Sequence, residues 1–329
     1  MNRQSSKVAT VRTFDMFCGG GGSSRGASLA GTKLVGSLDM WGAAAQTHSL
    51  NFPDAVSYRM KAGSLCPNRV QLETGGVDLL LASPECTNHS VAKGNKPRCE
   101  KSKATAFQVI RFAKVLQPRW IVVENVIQME RWSRFPEWRR KLERLGYKID
   151  LGVLDARFHA TPQSRRRLFV VADREAEPQL AQPGNLTQKT VERSVIGRGD
   201  NQSDPWRFSP LKAKNRAKAT IERAKGAIEA LGDDVAFLMV YYGSDGAGGY
   251  QTLDRPLRTV TTLDRFAYVR PTSVGHEMRM LQPPELAAAM GFPVTHRWPS
   301  ISRREKIKLI GNAVCPRVMR DVVKTLTAA

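Results

Sequence analysis

A cysteine and a glutamate each stand directly behind an apolar stretch of the chain, where side chains are well placed for chemistry. Cys86 ends the tetrapeptide Ser83-Pro84-Glu85-Cys86 after the apolar run 77–82, and Glu124 follows a second such run. Reactive groups in open α/β sheets collect in the crevice beyond the carboxyl ends of the strands, so these two motifs are expected to converge. A free cysteine is more often a packing residue, so Cys86 alone would identify nothing. The two motifs together predict a nucleophile paired with an acid.

A run of glycines within Phe14–Gly22 joins the first predicted strand to the first predicted helix. Glycine lets the backbone turn sharply and pass close to a ligand. Asp39, at the end of the second predicted strand, can accept hydrogen bonds from ribose hydroxyls. The glycine run has neither the dinucleotide fingerprint nor the Gly-Lys-Ser/Thr ending of a phosphate loop. These residues indicate an adenosine cofactor and do not require a pyrophosphate.

Two later segments place polar or turn-forming residues at the ends of predicted elements. Gln163–Arg167 puts three arginines directly before an apolar strand, where they reach toward phosphate or a base carbonyl. A merely solvated arginine cluster is the alternative. Gly311–Pro316 opens the last predicted helix with a glycine turn and a proline at its first position.

Length and charge narrow the class of protein. The chain has 329 residues and a formal net charge of +21, which predicts two domains and a polyanionic partner. Nucleic acid is the leading partner and an anionic membrane surface the second, while a merely soluble basic protein is the plain alternative. No apolar run approaches the roughly 20 residues that span a bilayer. Met1–Thr10 lacks the apolar stretch of a signal peptide, so a cytoplasmic protein is expected.

The five cysteines are odd in number, and no close pair has the spacing of a zinc clip or a redox motif. Neither a disulfide framework nor a metal site is therefore expected. Cys86 is the candidate for chemistry, and the others are expected to pack: Cys18, Cys66, Cys99 and Cys315.

The pattern of apolar residues predicts an α/β fold. Between Val11 and Ala172, short β-rich runs alternate with helical stretches, which is typical of a mostly parallel sheet with helices on both faces. The predicted strands are Thr13–Phe17, Leu34–Leu38, Val77–Ala82, Trp120–Val123, Lys148–Leu154, Leu168–Val171 and, further on, Val235–Tyr242. The predicted helices are Thr105–Leu116, Pro136–Leu145, Ala219–Leu231, Glu277–Met290 and Pro316–Leu326.

A composition shift after Asp173 indicates a second unit. We expect a catalytic and cofactor-binding domain over 1–173 and a smaller, irregular domain over 174–254. Residues 255–275 form a return segment, and C-terminal helices within 276–329 pack back on the first domain. Basic residues of the middle segment form either a solvated face or a nucleic-acid contact.

Taken in order, the motifs resemble those of the DNA (cytosine-5) methyltransferase family from Thr13 to Val318, except through the middle segment. Segments 15–22, 84–90, 124–126 and 163–167 are similar to its first motif, nucleophile loop, acid motif and arginine motif. Segments 279–293 and 311–318 are similar to its closing motifs. The middle segment falls where the family keeps its variable target-recognition region. The resemblance implies the class I S-adenosylmethionine-dependent methyltransferase fold, which is Rossmann-like.

The resemblance also implies a mechanism. The Cys86 thiolate would add to carbon 6 of a cytosine, while Glu124 protonates or hydrogen-bonds ring nitrogen 3. Arg165 and Arg167 are the candidates for holding the ring carbonyl oxygen. Carbon 5 would then take a methyl group from S-adenosylmethionine. A base in a duplex has to be flipped out of the stack to reach such a site.

The remaining family positions carry over residue by residue. Met40 is preferred to Trp41 for packing on the adenine, because it directly follows Asp39. The expected cofactor-binding residues are Phe14, Asp15, Phe17, Cys18, Gly19, Gly20, Gly22, Asp39, Met40, Ser64, Leu65, Pro84, Asn312, Ala313 and Val314. The expected DNA-binding residues are Ser90, Lys93, Lys96, Arg98, Gln163, Lys212, Lys214 and Lys218. The basic loop 93–103 is either a lid over the flipped strand or a solvated loop.

The chain departs from the family pattern at two positions. Glu85 follows Pro84 where a second proline is usual, and its carboxylate disfavours a thiolate at Cys86 unless it points away. Ser64 stands where the family generally offers an aspartate to adenine, which predicts weaker cofactor binding.

The expected partner is double-stranded DNA, bound by a monomer that works with a restriction endonuclease or alone. A DNA-binding protein on a decayed methyltransferase scaffold and an RNA-directed relative are the alternatives. An oxidoreductase would explain neither the charge nor the later motifs.

Overall fold

The computed structural model describes residues 10–85, 105–184, 187–197, 206–242 and 249–328. Five side chains expected to act in the site lie outside the described residues: Cys86, Ser90, Lys93, Lys96 and Arg98. The same holds for the predicted lid at 93–103. Within the described residues, no helix is both long and apolar enough to cross a membrane.

Seven strands form a mostly parallel sheet in the order β3-β2-β1-β4-β5-β7-β6. Neighbouring strands among β1 to β5 pair in parallel, whereas β7 runs antiparallel to both β5 and β6. The six strands predicted before residue 173 are all present, and β3 is an added edge strand. The strands are β1 (Arg12–Met16), β2 (Lys33–Asp39), β3 (Val56–Arg59), β4 (Leu79–Ala82), β5 (Trp120–Asn125), β6 (Lys148–Asp155) and β7 (Arg166–Asp173).

Helices cover both faces of this sheet because the side chains of its strands alternate between two apolar cores. On β4, Leu79 and Leu81 pack into one core, while Leu80 and Ala82 pack into the other. The first core is shared with α1 (Gly22–Leu29) and α10 (Pro316–Thr327), and the second with α3 (Pro67–Thr74), α4 (Ala106–Leu116) and α5 (Phe135–Glu143). The prediction of a mostly parallel sheet covered on both faces is confirmed. Helix α2 (Gly42–Asn51) follows β2.

The middle of the chain builds a second sheet, which is antiparallel and more regular than its composition indicated. The strand order is β10-β9-β11-β12-β8. Helix α7 (Lys218–Leu231) covers it by packing Ala224 and Ala227 against Phe237 and Met239. The strands are β8 (Ser209–Pro210), β9 (Phe237–Val240), β10 (Tyr250–Thr252), β11 (Phe266–Thr272) and β12 (Gly275–Met280), and a short helix, α6 (Val191–Ser194), precedes them.

The predicted helix over Glu277–Met290 is wrong in its first half. Residues up to Met280 belong to β12, where Met278 pairs with Val269 of β11, and the helix α8 begins only at Pro283 and ends at Ala289. Prolines at 283 and 284 are tolerated only in the first turn of a helix, so no helix runs through them from residue 277. Helix α9 (Arg303–Asn312) follows, and α10 then packs on α1.

Candidate active site

Glu124 lies buried at the carboxyl end of β5, next to an arginine of the neighbouring strand. Its Oε1 is 3.2 Å from Nε of Arg167 on β7. Burial raises the pKa of Glu124, and the positive charges of Arg167 and Arg165 act in the opposite direction. A buried carboxyl group with a raised pKa can hold and donate a proton, which is what the predicted acid has to do.

Asn125 ties this acid to the segment that leads to Cys86. Its amide Nδ2 donates to the carbonyl oxygen of Pro84 at 3.0 Å, and its Oδ1 accepts from the backbone N–H of Val126 at 2.9 Å. The ends of β4 and β5 are thereby held together beside Glu124. Glu85 is exposed, and its charge helps raise the pKa of Asp39, although burial of Asp39 is the larger cause.

Arg165 lines the same small cavity as Glu124 and Arg167, but its described hydrogen bonds go to the backbone. Its guanidinium is buried and donates to three backbone carbonyls, those of Val260 at 2.9 Å, Gly311 at 2.9 Å and Ala313 at 3.2 Å. These bonds hold the turn between α9 and α10, so the side chain has a structural role, and a catalytic role of Arg165 stays a prediction. Arg167, which contacts Glu124, keeps the predicted place.

Gln163, expected to contact DNA, is fully buried in the structure. Its Oε1 accepts from the backbone N–H of Val260 at 2.8 Å. Its Nε2 donates to the carbonyl of Ala289 at 3.3 Å and contacts the sulfur of Met290. Both ends of the amide therefore join the segment before β7 to the C-terminal part of the chain.

The glycine loop packs tightly against the chain itself. A Cβ on Gly22 would lie 2.0 Å from the carbonyl oxygen of Val314, and one on Gly20 would lie 2.9 Å from that of Leu309. The missing side chains of these two glycines thus make room for the C-terminal turn. Gly19 has φ +49, and the nearest atom to a Cβ there is 4.0 Å away. Gly19 is the loop position that faces open space.

Asp39 holds the glycine loop from the side of β2. Its Oδ2 accepts the backbone N–H of Gly19 at 2.9 Å, and its Oδ1 accepts that of Trp41 at 2.8 Å. Met40 is 55% exposed, whereas the Trp41 ring lies 4.7 Å from Nζ of Lys308 and packs beside Leu309. Of these two side chains, that of Met40 is the more exposed.

A second carboxyl group lies beneath the loop. Asp15 is fully buried, and its Oδ2 accepts from the Ser24 hydroxyl at 2.6 Å, while Oδ1 has no hydrogen-bond partner among the described residues. Burial raises the pKa of Asp15 to about 7. A buried acceptor without a partner and two carboxyl groups close to the loop fit a cationic ligand with ribose hydroxyls, as S-adenosylmethionine is.

The other predicted cofactor residues divide into exposed and buried ones. Ser64 and Asn312 are exposed, so their polar side chains are accessible to a ligand. Phe17 is half-buried and has φ +60, a strained value for a residue with a Cβ. The side chains of five residues are buried, so they reach a ligand only through the backbone or support it from below: Phe14, Cys18, Leu65, Ala313 and Val314.

Two of the described cysteines are poor nucleophiles. Burial raises the pKa of the Cys18 thiol well above its ordinary range, and it raises that of Cys315 to about 11. Both therefore remain thiols at neutral pH, although Cys315 lines a small cavity with Glu124 and Arg167. Cys66 is exposed, and the three described cysteines form no disulfide.

Three lysines expected to contact DNA lie exposed between β8 and α7. Lys212 and Lys214 precede the helix, and Lys218 begins it. The ammonium of Lys218 is 3.7 Å from a Glu222 oxygen, so part of its charge is offset.

One residue at the site is marked by no sequence motif. His296 is buried, and its imidazole contacts the glycine loop through the carbonyl of Gly20 at 3.1 Å. Only its place three residues after the segment Gly291-Phe292-Pro293 could have drawn attention to it.

Comparison with known sequences identifies one family over nearly the whole chain. The family model for C-5 cytosine-specific DNA methylase matches residues 11–328. Type II methyltransferase M.HgiDI of Herpetosiphon aurantiacus is 26% identical over 257 residues, which cover 76% of this chain and 80% of that protein. M1.BsuMI of Bacillus subtilis is 24% identical, covering 95% and 80%. M.DdeI of Desulfomicrobium norvegicum is 29% identical, but the match covers only 53% of this chain and 44% of that protein.

Solved structures share the fold at low sequence identity. A DNMT2 mutant of Spodoptera frugiperda superposes with a TM-score of 0.70 at 17% identity, covering 97% of this chain and 100% of that one. The methyltransferase EhMeth of Entamoeba histolytica gives 0.68 at 16% identity, covering 98% and 99%. The family match from residue 11 to residue 328 shows that the chain belongs to the C-5 cytosine-specific DNA methylases.

Proposed function

We propose that this protein transfers a methyl group from S-adenosylmethionine to carbon 5 of a cytosine flipped out of duplex DNA. The observation that carries the proposal is the buried Glu124, whose pKa is raised and whose carboxylate contacts Arg167 at the end of β5. Asn125 fixes Pro84 beside it, two residues before Cys86 in the chain. The family match and the type II methyltransferases among its relatives support the same reaction.

In this proposal the chain activates a ring that is a weak nucleophile at carbon 5. The Cys86 thiolate forms a bond to carbon 6, and Glu124 delivers a proton to nitrogen 3, so that charge does not accumulate on the ring. Arg167 donates to the ring carbonyl oxygen. S-adenosylmethionine supplies an electrophilic methyl group for carbon 5. Transfer of the carbon 5 proton to water then lets the sulfur–carbon 6 bond break, nitrogen 3 returns its proton to Glu124, and Cys86 is freed.

Binding of the cofactor is proposed on the glycine-loop side of the sheet. Asp39 would accept hydrogen bonds from the ribose hydroxyls, and Met40 would cover the adenine. At Gly19, which has no side chain, the backbone would lie close to the ligand. Asp15 would offer its unpartnered oxygen from below. The exposed Ser64 and Asn312 complete the polar contacts.

Binding of DNA is proposed on the second sheet and on the loop after Cys86. The net charge of +21 favours a polyanion, and Lys212 and Lys214, which are exposed, would contact its phosphates. Such contacts can offset the few kcal/mol that flipping a base costs. Ser90, Lys93, Lys96 and Arg98 stay proposed contacts from the sequence.

The wider setting is proposed on the same grounds. The chain would act as a cytoplasmic monomer, either beside a cognate restriction endonuclease or as a solitary methyltransferase. Residues 1–173 would form the catalytic domain and the middle segment the target-recognition domain, whose sheet extends to Met280.

Transfer of labelled methyl groups tests this function. Wild-type protein and C66A, a control at an exposed cysteine, should transfer labelled methyl groups to duplex DNA, whereas C86A should not. Bisulfite sequencing of DNA from cells that express the protein should show the modified sites. Unchanged transfer by C86A would refute the nucleophile. DNA binding without any transfer would instead support a decayed scaffold, and transfer to transfer RNA alone would make RNA the substrate.

A further inference from the structure

We propose that His296 is a positioning residue that holds the glycine loop in the conformation that binds the cofactor. The proposal rests on the proposed function, because the loop matters only if S-adenosylmethionine binds there. His296 lies between α8 and α9, outside the sequence motifs, and touches the loop through Gly20. Its role would be to supply one permanent N–H donor.

The direction of the hydrogen bond fixes the tautomer of the ring. Nε2 of His296 lies 3.1 Å from the Gly20 carbonyl oxygen, which can only accept, so Nε2 carries the proton. The next backbone N–H, that of Gly21, donates to the Cys18 carbonyl at 2.8 Å. The peptide group between Gly20 and Gly21 is thus held at both its oxygen and its nitrogen. Gly21 also lies against the ring, since a Cβ there would be 3.4 Å from Cε1 of His296.

The ring itself is held from two sides. Its centroid lies 4.5 Å from that of Phe292 and 4.7 Å from that of Trp298. Asn51, at the end of α2, hydrogen-bonds Arg297, the residue after His296, through both ends of its side-chain amide. Its Nδ2 donates to the Arg297 carbonyl at 2.8 Å, and its Oδ1 accepts the Arg297 N–H at 2.9 Å. The imidazole therefore presents its donor at a fixed place.

The surroundings keep this histidine neutral. The pKa of His296 is lowered to about 3, mainly by burial and also by the charges of Arg25 on α1 and His48 on α2, while the hydrogen bond to Gly20 acts in the opposite direction. Nδ1 is buried without a hydrogen-bond partner among the described residues, so a second proton would have no acceptor. His296 is accordingly a constant donor at physiological pH and not a switch.

The Gly19–Gly20 peptide connects the carbonyl that His296 holds to the N–H that Asp39 holds. Gly20 follows Gly19, whose N–H donates to Oδ2 of Asp39 at 2.9 Å. A loop released from His296 could rotate this N–H away and leave Asp39 without the partner that orients its carboxylate toward the ribose. The expected consequence is weaker cofactor binding with the fold retained.

A pair of variants with side chains of similar length isolates the donor. H296Q keeps an N–H that can reach Gly20, whereas H296M lacks one, and the dissociation constant of S-adenosylhomocysteine is measured by calorimetry for both. Loss of one hydrogen bond is worth about 1–1.5 kcal/mol, so H296M should bind about tenfold more weakly than H296Q. H276F, on the second sheet, should bind as wild type.

Equal affinities for H296Q and H296M would overturn the proposal. Failure of the wild-type protein to bind S-adenosylhomocysteine would instead overturn the proposed function, so the two failures are distinguishable. Long-range nitrogen-15 NMR of the wild-type protein needs no variant. It should show His296 neutral and protonated at Nε2 from pH 8 to pH 5, and a charged ring or an Nδ1–H tautomer would contradict the role.

Discussion

Glu124 and Arg167 form an ion pair where β5 ends and β7 begins, and the guanidinium acts on the protonation state of the carboxyl group. Burial favours the protonated carboxyl group, while the guanidinium 3.2 Å away favours the charged one. The balance suits a group that must pass a proton to a base and then recover it. Sequence alone could propose the pair, because both residues stand at strand ends in recognisable motifs.

Glutamine at position 124 removes the proton but keeps the shape. E124Q should lower methyl transfer by about 10²–10⁴-fold, the usual contribution of a positioned acid, while thermal stability stays the same or rises because no charge is buried. Labelled transfer and thermal denaturation measure the two quantities, with E130Q, at an exposed glutamate, as the control. Full activity of E124Q would remove Glu124 from the reaction.

Arg165 and Gln163 show what residue-level inference could not supply. Both occupy motif positions expected to face substrate, yet their side chains bond to backbone groups of residues about 100 positions or more away. Those contacts depend on how the C-terminal turn packs, and no local pattern encodes that packing.

Lysine at position 165 should therefore act on stability. R165K cannot reach both Val260 and the 311–313 turn, and hydrogen bonds to a charged group are worth about 1.5–3 kcal/mol each. We expect a decrease of at least about 2 kcal/mol in the free energy of unfolding, measured by urea denaturation. R166K, at the adjacent exposed position, should show none. A stable R165K that has lost only its activity would support the catalytic assignment.

At the scale of elements, the apolar pattern located the central strands because buried parallel strands form continuous apolar runs. It failed over 277–290, where only Leu281 and the N-cap residue Gln282 separate strand β12 from helix α8. The pattern also did not show how closely the glycine loop approaches the C-terminal part of the chain. Gly20 and Gly22, which suggested a ligand loop, make room for α9 and for the turn after it.

Alanine at Gly22 tests this packing. A Cβ there would meet the Val314 carbonyl at 2.0 Å, so the backbone has to move, and G22A should cost about 1–3 kcal/mol of stability. G226A is the matched control, because nothing lies within 4 Å of that helical position. It should gain about 0.5–1 kcal/mol through helix propensity. Similar effects of the two variants in urea unfolding would contradict the packing.

For the whole molecule, the excess of positive charge and the second antiparallel sheet are the two features on which the proposed binding of duplex DNA rests. The net charge was available from the sequence, as was the change in composition after Asp173. The regular sheet was not, because its strands are short and its pairing brings together β8 and β12, which lie far apart in the chain.

Neutralising two lysines tests the DNA surface. K212Q/K214Q should weaken binding at every DNA sequence, and the slope of log affinity against log salt should flatten by about 0.9 for each phosphate that the variant no longer neutralises. Filter binding at several salt concentrations measures it. K33Q, at the amino end of β2, should leave the slope unchanged. An unaltered slope for the double variant would assign these lysines to a solvated face.

The most direct measurement is covalent capture of the enzyme on duplex DNA that carries 5-fluorocytosine at the target position. Fluorine on carbon 5 blocks release, so wild-type protein and C66A should form a conjugate that survives denaturation, joined through Cys86 as mass spectrometry would show. C86A should form none. An active wild-type preparation that leaves no conjugate, or one joined through another residue, would contradict the account.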